Sequence, residues 1–348
     1  TAKGTAMTDT QTLDLDAVGA YLKSNLDGFE GPIEAEKFAG GQSNPTFLLK
    51  TPSRNYVLRR KPPGKLLKSA HAVDREYRVQ KALAGSDVPV SKMHLLCEDD
   101  AVIGSSFYIM DQVKGRNFNE PTLDDLTKAD RGAVIADMNR VLAALHDVDI
   151  DSVGLANYGP PGHYVERQIG RWSKQYRASE TEAIPAMDRL MDALAEQMPA
   201  DDGQRTLVHG DYRIDNMIFS ATDTNCIAVL DWELSTIGHP YADLASVIMQ
   251  WQLPAGREGR GLMGVDRAAL GLPSDEAFIA QYCERRGLGG IDNFGYYVGF
   301  CFFRMAAIIQ GVLKRALDGN ASNPERAMKV GAFVPIFAEN GLKALERG

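Results

Sequence analysis

The chain has 348 residues, enough for one large domain or two. Hydrophobic residues make up 44% and charged residues 24%, the balance of a soluble globular protein. A net charge of −8 argues against a general binder of nucleic acid, whose phosphates attract basic surfaces, although a single bound nucleotide needs only a local cluster of donors.

The four cysteines, Cys97, Cys226, Cys283 and Cys301, are widely spaced and form no Cys-x-x-Cys pair, which suits a reducing cytoplasm. No secretory signal is visible, and residues 1–6, ahead of Met7, read as a cloning remnant outside the fold. Leu15, Val18, Tyr21, Leu22 and Leu26 recur at helical spacing, so an amphipathic helix opens the fold and ends at Gly28 to Pro32. A strand follows from Ile33 to Phe38, then a small polar loop, Ala39 to Pro45, and a returning strand, Thr46 to Thr51. Glycines such as Gly41 let a backbone approach a ligand closely, and Ser43 and Asn44 offer hydrogen bonds there. The loop is not Gly-x4-Gly-Lys-Ser/Thr, which excludes a Walker-type ATPase.

Asn55 to Arg60 reads as a third strand and carries Arg59. Residues 70–84 form a helix closed by Gly85. On that helix Glu76 falls within an apolar arc of Val73, Val79 and Leu83, where a carboxylate is costly unless it meets a cation. Arg59 is the expected partner; Lys81 and Arg75 are the local alternatives. Val88 to Leu96 and Phe107 to Met110 are two further strands, joined by a turn at Glu98 to Asp100. The chain then turns polar from Asp111 to Arg116, and helical from Leu123. Asp130 to His146 has an apolar face of Val134, Met138, Val141, Leu142 and Leu145, which makes His146 a capping or packing residue. Tyr164 to Arg177 interleaves Arg167, Arg171, Trp172 and Lys174, either a solvated face or a surface for an anionic ligand.

Residues 207–233 carry the densest chemistry. Two short apolar runs flank a turn of polar residues, Ser220 to Asn225, and read as a hairpin. Asn216 and Asp231 are equidistant from a point between Asp223 and Thr224 in this turn, so pairing about it would set them side by side, with Asp211 in the loop before the first strand. Two carboxylates and a carboxamide are oxygen donors of the kind that suit Mg²⁺. Beyond them, Asp243 is placed to cap the next helix and to accept backbone N–H bonds from the loop. Tyr296 to Leu313 is apolar but interrupted by Arg304 and Gln310, so it reads as a buried helix and not a membrane span. Arg304 there needs a partner, either an acid of the fold or an anionic ligand.

His-Gly-Asp-x4-Asn over 209–216, followed by Leu-Asp-Trp-Glu over 230–233, resembles the aminoglycoside phosphotransferase and choline kinase group, relatives of the protein kinases. The resemblance implies an α+β fold of two kinase-like lobes. Residues 7–112 would carry the opening helix and a small lobe with a five-stranded antiparallel sheet and one helix; residues 113–348 would form the mainly helical lobe. It also implies ATP and Mg²⁺, with Asp211 as catalytic base, Asn216 and Asp231 as metal ligands, and His209 and Asp243 supporting them. Gly41, Ser43 and Asn44 would cover the phosphates, Arg59 would grip them in place of the commoner lysine, Glu76 would hold Arg59, and Met110 and Gln112 would flank the adenine.

Tyr-Val-Leu-Arg-Arg-Lys-Pro-Pro-Gly over 56–64, Val-Glu-Arg-Gln over 165–168 and Phe-Phe-Arg-Met-Ala-Ala over 302–307 are similar to the kinase-like domains fused to some acyl-CoA dehydrogenases. That similarity implies phosphorylation of a hydroxyacyl-CoA, at its 4-hydroxyl. Read from the residues themselves, the cations Arg167, Arg171, Lys174 and Arg304 with the flat rings of Trp172 and Trp251 suit an acceptor with an anionic and an apolar part. The alternatives are an aminoglycoside, choline or amino-alcohol kinase, and a kinase-like nucleotide-binding protein without catalysis. Loss of the base or of a metal ligand would mark the last, yet all three residues are present. A polycationic aminoglycoside wants an acidic site, whereas residues 250–348 hold 12 Lys/Arg against 10 Asp/Glu, although residues 114–249 are much more acidic. A metal hydrolase finds no His-x-x-x-His pair among the six histidines. The expected partner is therefore a small molecule bearing a hydroxyl, with no nucleic acid and no membrane.

Overall fold

The computed structural model describes residues 13–38, 44–62, 72–321 and 323–347. The expected phosphate-loop residues Gly41 and Ser43, and the remnant 1–6, lie outside them. The elements in order are α1 (Leu15–Asn25), β1 (Glu34–Lys37), β2 (Thr46–Lys50), β3 (Asn55–Arg60), α2 (Val73–Ala82), β4 (Met93–Cys97), α3 (Asp100–Ile103), β5 (Phe107–Asp111), α4 (Lys128–His146), α5 (Tyr164–Ser179) and α6 (Pro185–Glu196). Then come β6 (Thr206–Val208), β7 (Met217–Phe219), β8 (Cys226–Val229), β9 (Thr236–Gly238), α7 (Pro240–Trp251), α8 (Arg267–Leu270), α9 (Asp275–Arg285), α10 (Phe294–Leu317), α11 (Pro324–Gly331) and α12 (Val334–Glu346). The chain divides into two compact units: one holds the residues up to Arg116 together with Asn216–Ser235, the other Asn117–Asp215 and the residues from Thr236 on.

The first unit is built on a five-stranded antiparallel sheet in the order β1-β2-β3-β5-β4. Alternation decides its two faces. Phe47, Leu49, Tyr56, Leu58, Phe107 and Ile109 pack with Val18 and Leu22 of α1 into one core. Each such side chain contributes about 1.5–3 kcal/mol by leaving water. Their neighbours one position along, including Arg59 and Tyr108, point to the opposite face, where α2 lies. The turn expected at Glu98 to Asp100 becomes a short helix, because Asp99 accepts the N–H of Ala101 and caps α3.

The hairpin β7–β8 differs from the sequence expectation in two ways. It clusters with the sheet unit and not with the helical residues that surround it in sequence. Val229 N donates to Pro89 O at 2.8 Å, and Arg116 exchanges main-chain bonds with Phe219 at 2.7 and 2.8 Å. Such backbone ladders leave no trace in side-chain pattern. The register is also shifted by one: Met217 faces Val229, and Leu230 N donates to Asn216 O at 2.8 Å, so Asn216 meets Leu230 and not Asp231. Ser220 N donates to Asn225 O at 2.8 Å, which centres the turn earlier than expected, and a bulge between Ile218 and Phe219 shifts the outer pairs only part of the way back.

The second unit is centred on α10, a 24-residue helix buried along most of its length among α5, α6, α7, α11 and α12. It is long and apolar enough to cross a membrane, but 72% of its apolar window is buried inside the protein. Close approach to α12 depends on glycine: a Cβ at Gly299 would lie 3.0 Å from Gly341 O, and one at Gly341 would lie 3.3 Å from Gly299 O. Strands β6 and β9 pair antiparallel, Val208 opposite Thr236, at either end of the segment that carries the candidate residues.

Candidate active site

In the sheet unit, Arg59 projects from β3 and is mostly buried. Its Nε lies 2.8 Å from Glu76 Oε2, the expected partner, and its Nη2 lies 3.0 Å from Asp231 Oδ1 and 3.6 Å from Glu233. The local alternatives are engaged elsewhere: Arg75 donates to Ser235 O and Lys81 sits over the Tyr77 ring. Glu76 also accepts from Tyr108 Oη at 3.0 Å and from Asn44 Nδ2 at 2.7 Å. Asn44 was expected to face phosphate; its fully buried amide instead fixes Glu76. Burial pushes the Glu76 carboxyl up to about 7, against the pull of Arg59 and the Tyr108 hydroxyl. Burial alone would disfavour the Arg59 charge, but Glu76, Tyr108, Asp231 and Glu233 around it hold it protonated.

Asp231 adopts the left-handed conformation, φ 64° and ψ 59°, which is unusual for a side chain with a Cβ. A 3₁₀ turn over Trp232–Leu234 follows directly. It is locked by Trp232 Nε1 on Val229 O and by Ser235 Oγ on Trp232 O. A strained residue held by its surroundings often marks a functional position. Of the residues expected near adenine, Met110 on β5 pairs with Val57 of β3, and Gln112 accepts from Asn55 Nδ2 at 2.8 Å.

In the helical unit, the loop after β6 hangs on Asp243. Its carboxylate accepts the N–H of His209 at 2.6 Å and of Gly210 at 2.9 Å, the bracing expected from sequence. The capping role goes to His239, whose side chain accepts from Tyr241 N; Asp243 lies one turn further along α7. Burial alone would raise the Asp243 carboxyl, but His146 and the backbone donors hold it below its ordinary value. His146, read as a packing residue, joins this network: Nε2 is 3.5 Å from Asp243 and Nδ1 is 2.7 Å from the Tyr282 hydroxyl. His209 Nδ1 accepts the N–H of Asp211 at 3.2 Å, which fixes its tautomer and steadies the next residue. Arg213, which sequence reasoning passed over although it stands two positions after Asp211, grips that carboxylate at 3.1 and 3.2 Å.

The expected acceptor residues divide: Arg167 and Arg304 both neighbour Tyr164, while Trp251 borders a separate cavity. Arg304 donates to Gly210 O at 2.7 Å, a main-chain acceptor in place of the expected acid. Arg167 donates to Pro161 O at 2.8 Å and to Gly162 O, and lines a cavity of about 130 Å³ with His163 and Arg205. Trp251 is 2% exposed and packs against Phe278 with Arg267 over its ring, so it offers no open flat surface. It borders a different cavity, beside Arg213 and Asp215. Arg171 lies over Trp172, whose Nε1 is bonded to Gln168, and Lys174 is exposed.

Residues 34–289 match the model of the phosphotransferase enzyme family. The chain belongs to that family. This phosphotransferase is 45% identical over 332 residues to acyl-CoA dehydrogenase family member 10 of Mus musculus, covering 95% of the chain and 31% of the relative. The chain spans less than half the length of the curated relatives it matches. A crystal structure from Ralstonia eutropha, assigned provisionally to the aminoglycoside phosphotransferases, superposes with a TM-score of 0.89 at 45% identity, over 97% of this chain and 99% of that one. An aminoglycoside phosphotransferase, APH(4)-Ia, in complex with AMP-PNP and hygromycin B, shares the fold at a TM-score of 0.61 and 17% identity, over 94% and 98% of the two chains. The kinase-like α+β fold, the family and the likeness to acyl-CoA dehydrogenase fusions are as the sequence led one to expect.

Proposed function

We propose that this phosphotransferase moves the γ-phosphoryl group of ATP to the hydroxyl of a small molecule, with Mg²⁺. The observation that carries the reading is the Arg59 fork, held by buried Glu76 and reaching Asp231, the arrangement a phosphate-gripping cation beside a metal carboxylate needs. The binding of AMP-PNP by APH(4)-Ia supports a nucleotide.

The donor set fits Mg²⁺. Among the described residues no cluster of three or more His, Cys, Asp or Glu stands ready for a metal. Mg²⁺ needs none, since it binds through one or two carboxylates plus substrate phosphates and keeps several waters. Asn216 and Asp231 would hold it, and when bound it offsets the charge of the phosphates. Arg59 neutralises phosphate oxygens. Asp211 orients the acceptor hydroxyl and takes its proton as the oxygen attacks the γ-phosphorus and the bond to ADP breaks.

For the acceptor, the mouse relative's name mentions acyl-CoA, and a hydroxylated acyl-CoA is the candidate that this suggests. Against that, Arg304 and Arg167 spend donors on main-chain carbonyls, which leaves Arg171 and Lys174 as the exposed cations of the expected set. The reading therefore stays with a small hydroxylated molecule. A screen for phosphate transfer from ATP over hydroxyacyl-CoAs, hydroxy acids, amino alcohols and aminoglycosides tests it. At least one class is expected to accept phosphate, and Asp211→Asn is expected to slow that transfer by about 10²–10⁴ with the KM for ATP within twofold. Undiminished transfer by the variant, or tight nucleotide binding with no acceptor at all, would sink the proposal in favour of a non-catalytic binding protein.

A further inference from the structure

We propose that Arg260 is a positioning residue for the candidate base, acting through Asp215 and Arg213. The inference rests on the phosphotransfer reading of Asp211. Arg213 faces the Asp211 carboxylate at two points, donating from Nη2 to Oδ2 at 3.2 Å while Nε lies 3.1 Å from Oδ1 as an ion-pair contact, and so holds the group to one side. The same Nε faces Asp215 Oδ1 at 3.6 Å, and Asp215 Oδ2 lies 2.6 Å from Arg260 Nη1. Four side chains thus alternate in sign along one line: Asp211, Arg213, Asp215, Arg260.

The order of distances gives Arg260 its role. Asp215 is mostly buried, its side chain 14% exposed, and its main-chain oxygen is pinned by Asn117 Nδ2 at 2.8 Å. A carboxylate so poorly hydrated demands a cation. Arg260 satisfies that demand at 2.6 Å, which leaves Arg213 free to stay on Asp211. Without Arg260, the nearest cation to Asp215 is Arg213, and the grip on Asp211 loosens.

The segment after α7 is built to present this side chain. Arg260 sits at φ 52°, and its N–H donates to Gly256 O at 2.7 Å. The Gln250 amide holds the carbonyls of Gly259 and Arg260 at 3.1 and 3.3 Å. A Cβ at Gly259 or Gly261 would lie 2.1 or 1.9 Å from the carbonyl oxygens of Pro254 and Leu253, so the turn closes only with glycine on both sides of a strained arginine.

The test uses the full chain with Mg-ATP, reading release of inorganic phosphate with water as acceptor alongside any acceptor found in the screen. Arg260→Met is expected to lower kcat about tenfold, less than removal of the base, with the KM for ATP within twofold. Arg260→Lys should recover most of the loss. Because the effect passes through Arg213, the double variant with Arg213→Met should be no slower than Arg213→Met alone, within about twofold. In a crystal structure of the Arg260→Met protein, the Arg213 guanidinium should have moved from Asp211 toward Asp215. An intact two-point contact to Asp211, wild-type turnover, or losses that multiply in the double variant would each overturn the proposal. Full turnover in Asp211→Asn strikes instead at the phosphotransfer reading itself.

Discussion

Arg304, near the middle of α10, donates from Nη2 to the main-chain oxygen of Gly210 at 2.7 Å. The N–H of the same glycine is held by Asp243 at 2.9 Å. Both polar groups of one residue, at φ +84°, are thereby tied to two helices of the core, one position before Asp211. A guanidinium in an apolar helix must find an acceptor. Here it finds the backbone that sets the direction of the candidate base.

Replacing Arg304 by methionine keeps the apolar stem and removes the donor. A lost hydrogen bond from a charged group costs about 1.5–3 kcal/mol. In a unit of this size each kcal/mol lowers Tm by roughly 2–4 °C. The expected result of Arg304→Met is therefore a clear fall in Tm and a lower kcat, with the KM values for ATP and acceptor nearly unchanged. An unaltered Tm with a raised KM for the acceptor would return Arg304 to the acceptor site.

Arg59→Met should be more damaging. Glu76 is 1% exposed and would lose the cation 2.8 Å away, and breaking a buried pair from one side costs about 3–5 kcal/mol. Chemical denaturation would read the loss, and titration with AMP-PNP and Mg²⁺ should show a weakened affinity. A change below about 1 kcal/mol would show that the pair contributes little to the fold.

The sheet unit was largely legible because its signals are local. The apolar alternation of β2, β3 and β5 sets one face on the core, and a glutamate inside the apolar arc of α2 predicts Arg59 before any coordinates. The Asp211 motif was legible for the same reason, since its spacing is contiguous. What failed depends on partners distant in sequence. Asn44 looked like a loop donor, but its partner lies 32 positions on. Arg304 had many conceivable partners and took a carbonyl, which carries no side-chain signature. Arg260 is 45 residues from Asp215, and only its flanking glycines hint that the turn is special. The register error came from the centre of the turn, which the Ser220 to Asn225 bond sets one position earlier than the point between Asp223 and Thr224; the bulge between Ile218 and Phe219 makes up only part of the difference.

Stability should fall as pH is lowered through the histidine range. Burial depresses the pKa of His146 and of His239 below 6.5. Above that value both are neutral whether folded or unfolded. Below it the unfolded chain takes up protons that the folded chain refuses, so stability present above 6.5 is lost as pH drops. Glu76 works in the opposite sense: with its pKa raised to about 7, its contribution is present below 4.5 and is lost as pH rises through 7. His146 faces Asp243, Tyr282, Arg286 and Asp147, and its variant isolates one arm of the profile. Urea midpoints at pH 7, 6 and 5 should converge between wild type and His146→Gln, by up to about 1.4 kcal/mol per pH unit for one proton. Parallel profiles would remove His146 as the source.

Asp231 offers the sharpest test of the metal. Its Oδ1 faces Arg59 Nη2 at 3.0 Å, and Asn216 would share the ion with it. An alanine here would remove the carboxylate but keep a Cβ at φ 64°, so any loss of function could be blamed on folding. Asp231→Gly avoids that objection, since glycine takes the left-handed conformation without strain. It should leave Tm close to that of the wild type. Calorimetric titration with AMP-PNP should then separate the two roles of the site. In the wild type, Mg²⁺ should strengthen binding, because a cation between carboxylate and phosphates offsets their repulsion. In Asp231→Gly that strengthening should vanish, while binding without Mg²⁺ should hold steady or improve, since one negative charge has left the neighbourhood of the phosphates. An Mg²⁺ effect equal to that of the wild type would take Asp231 out of the metal site.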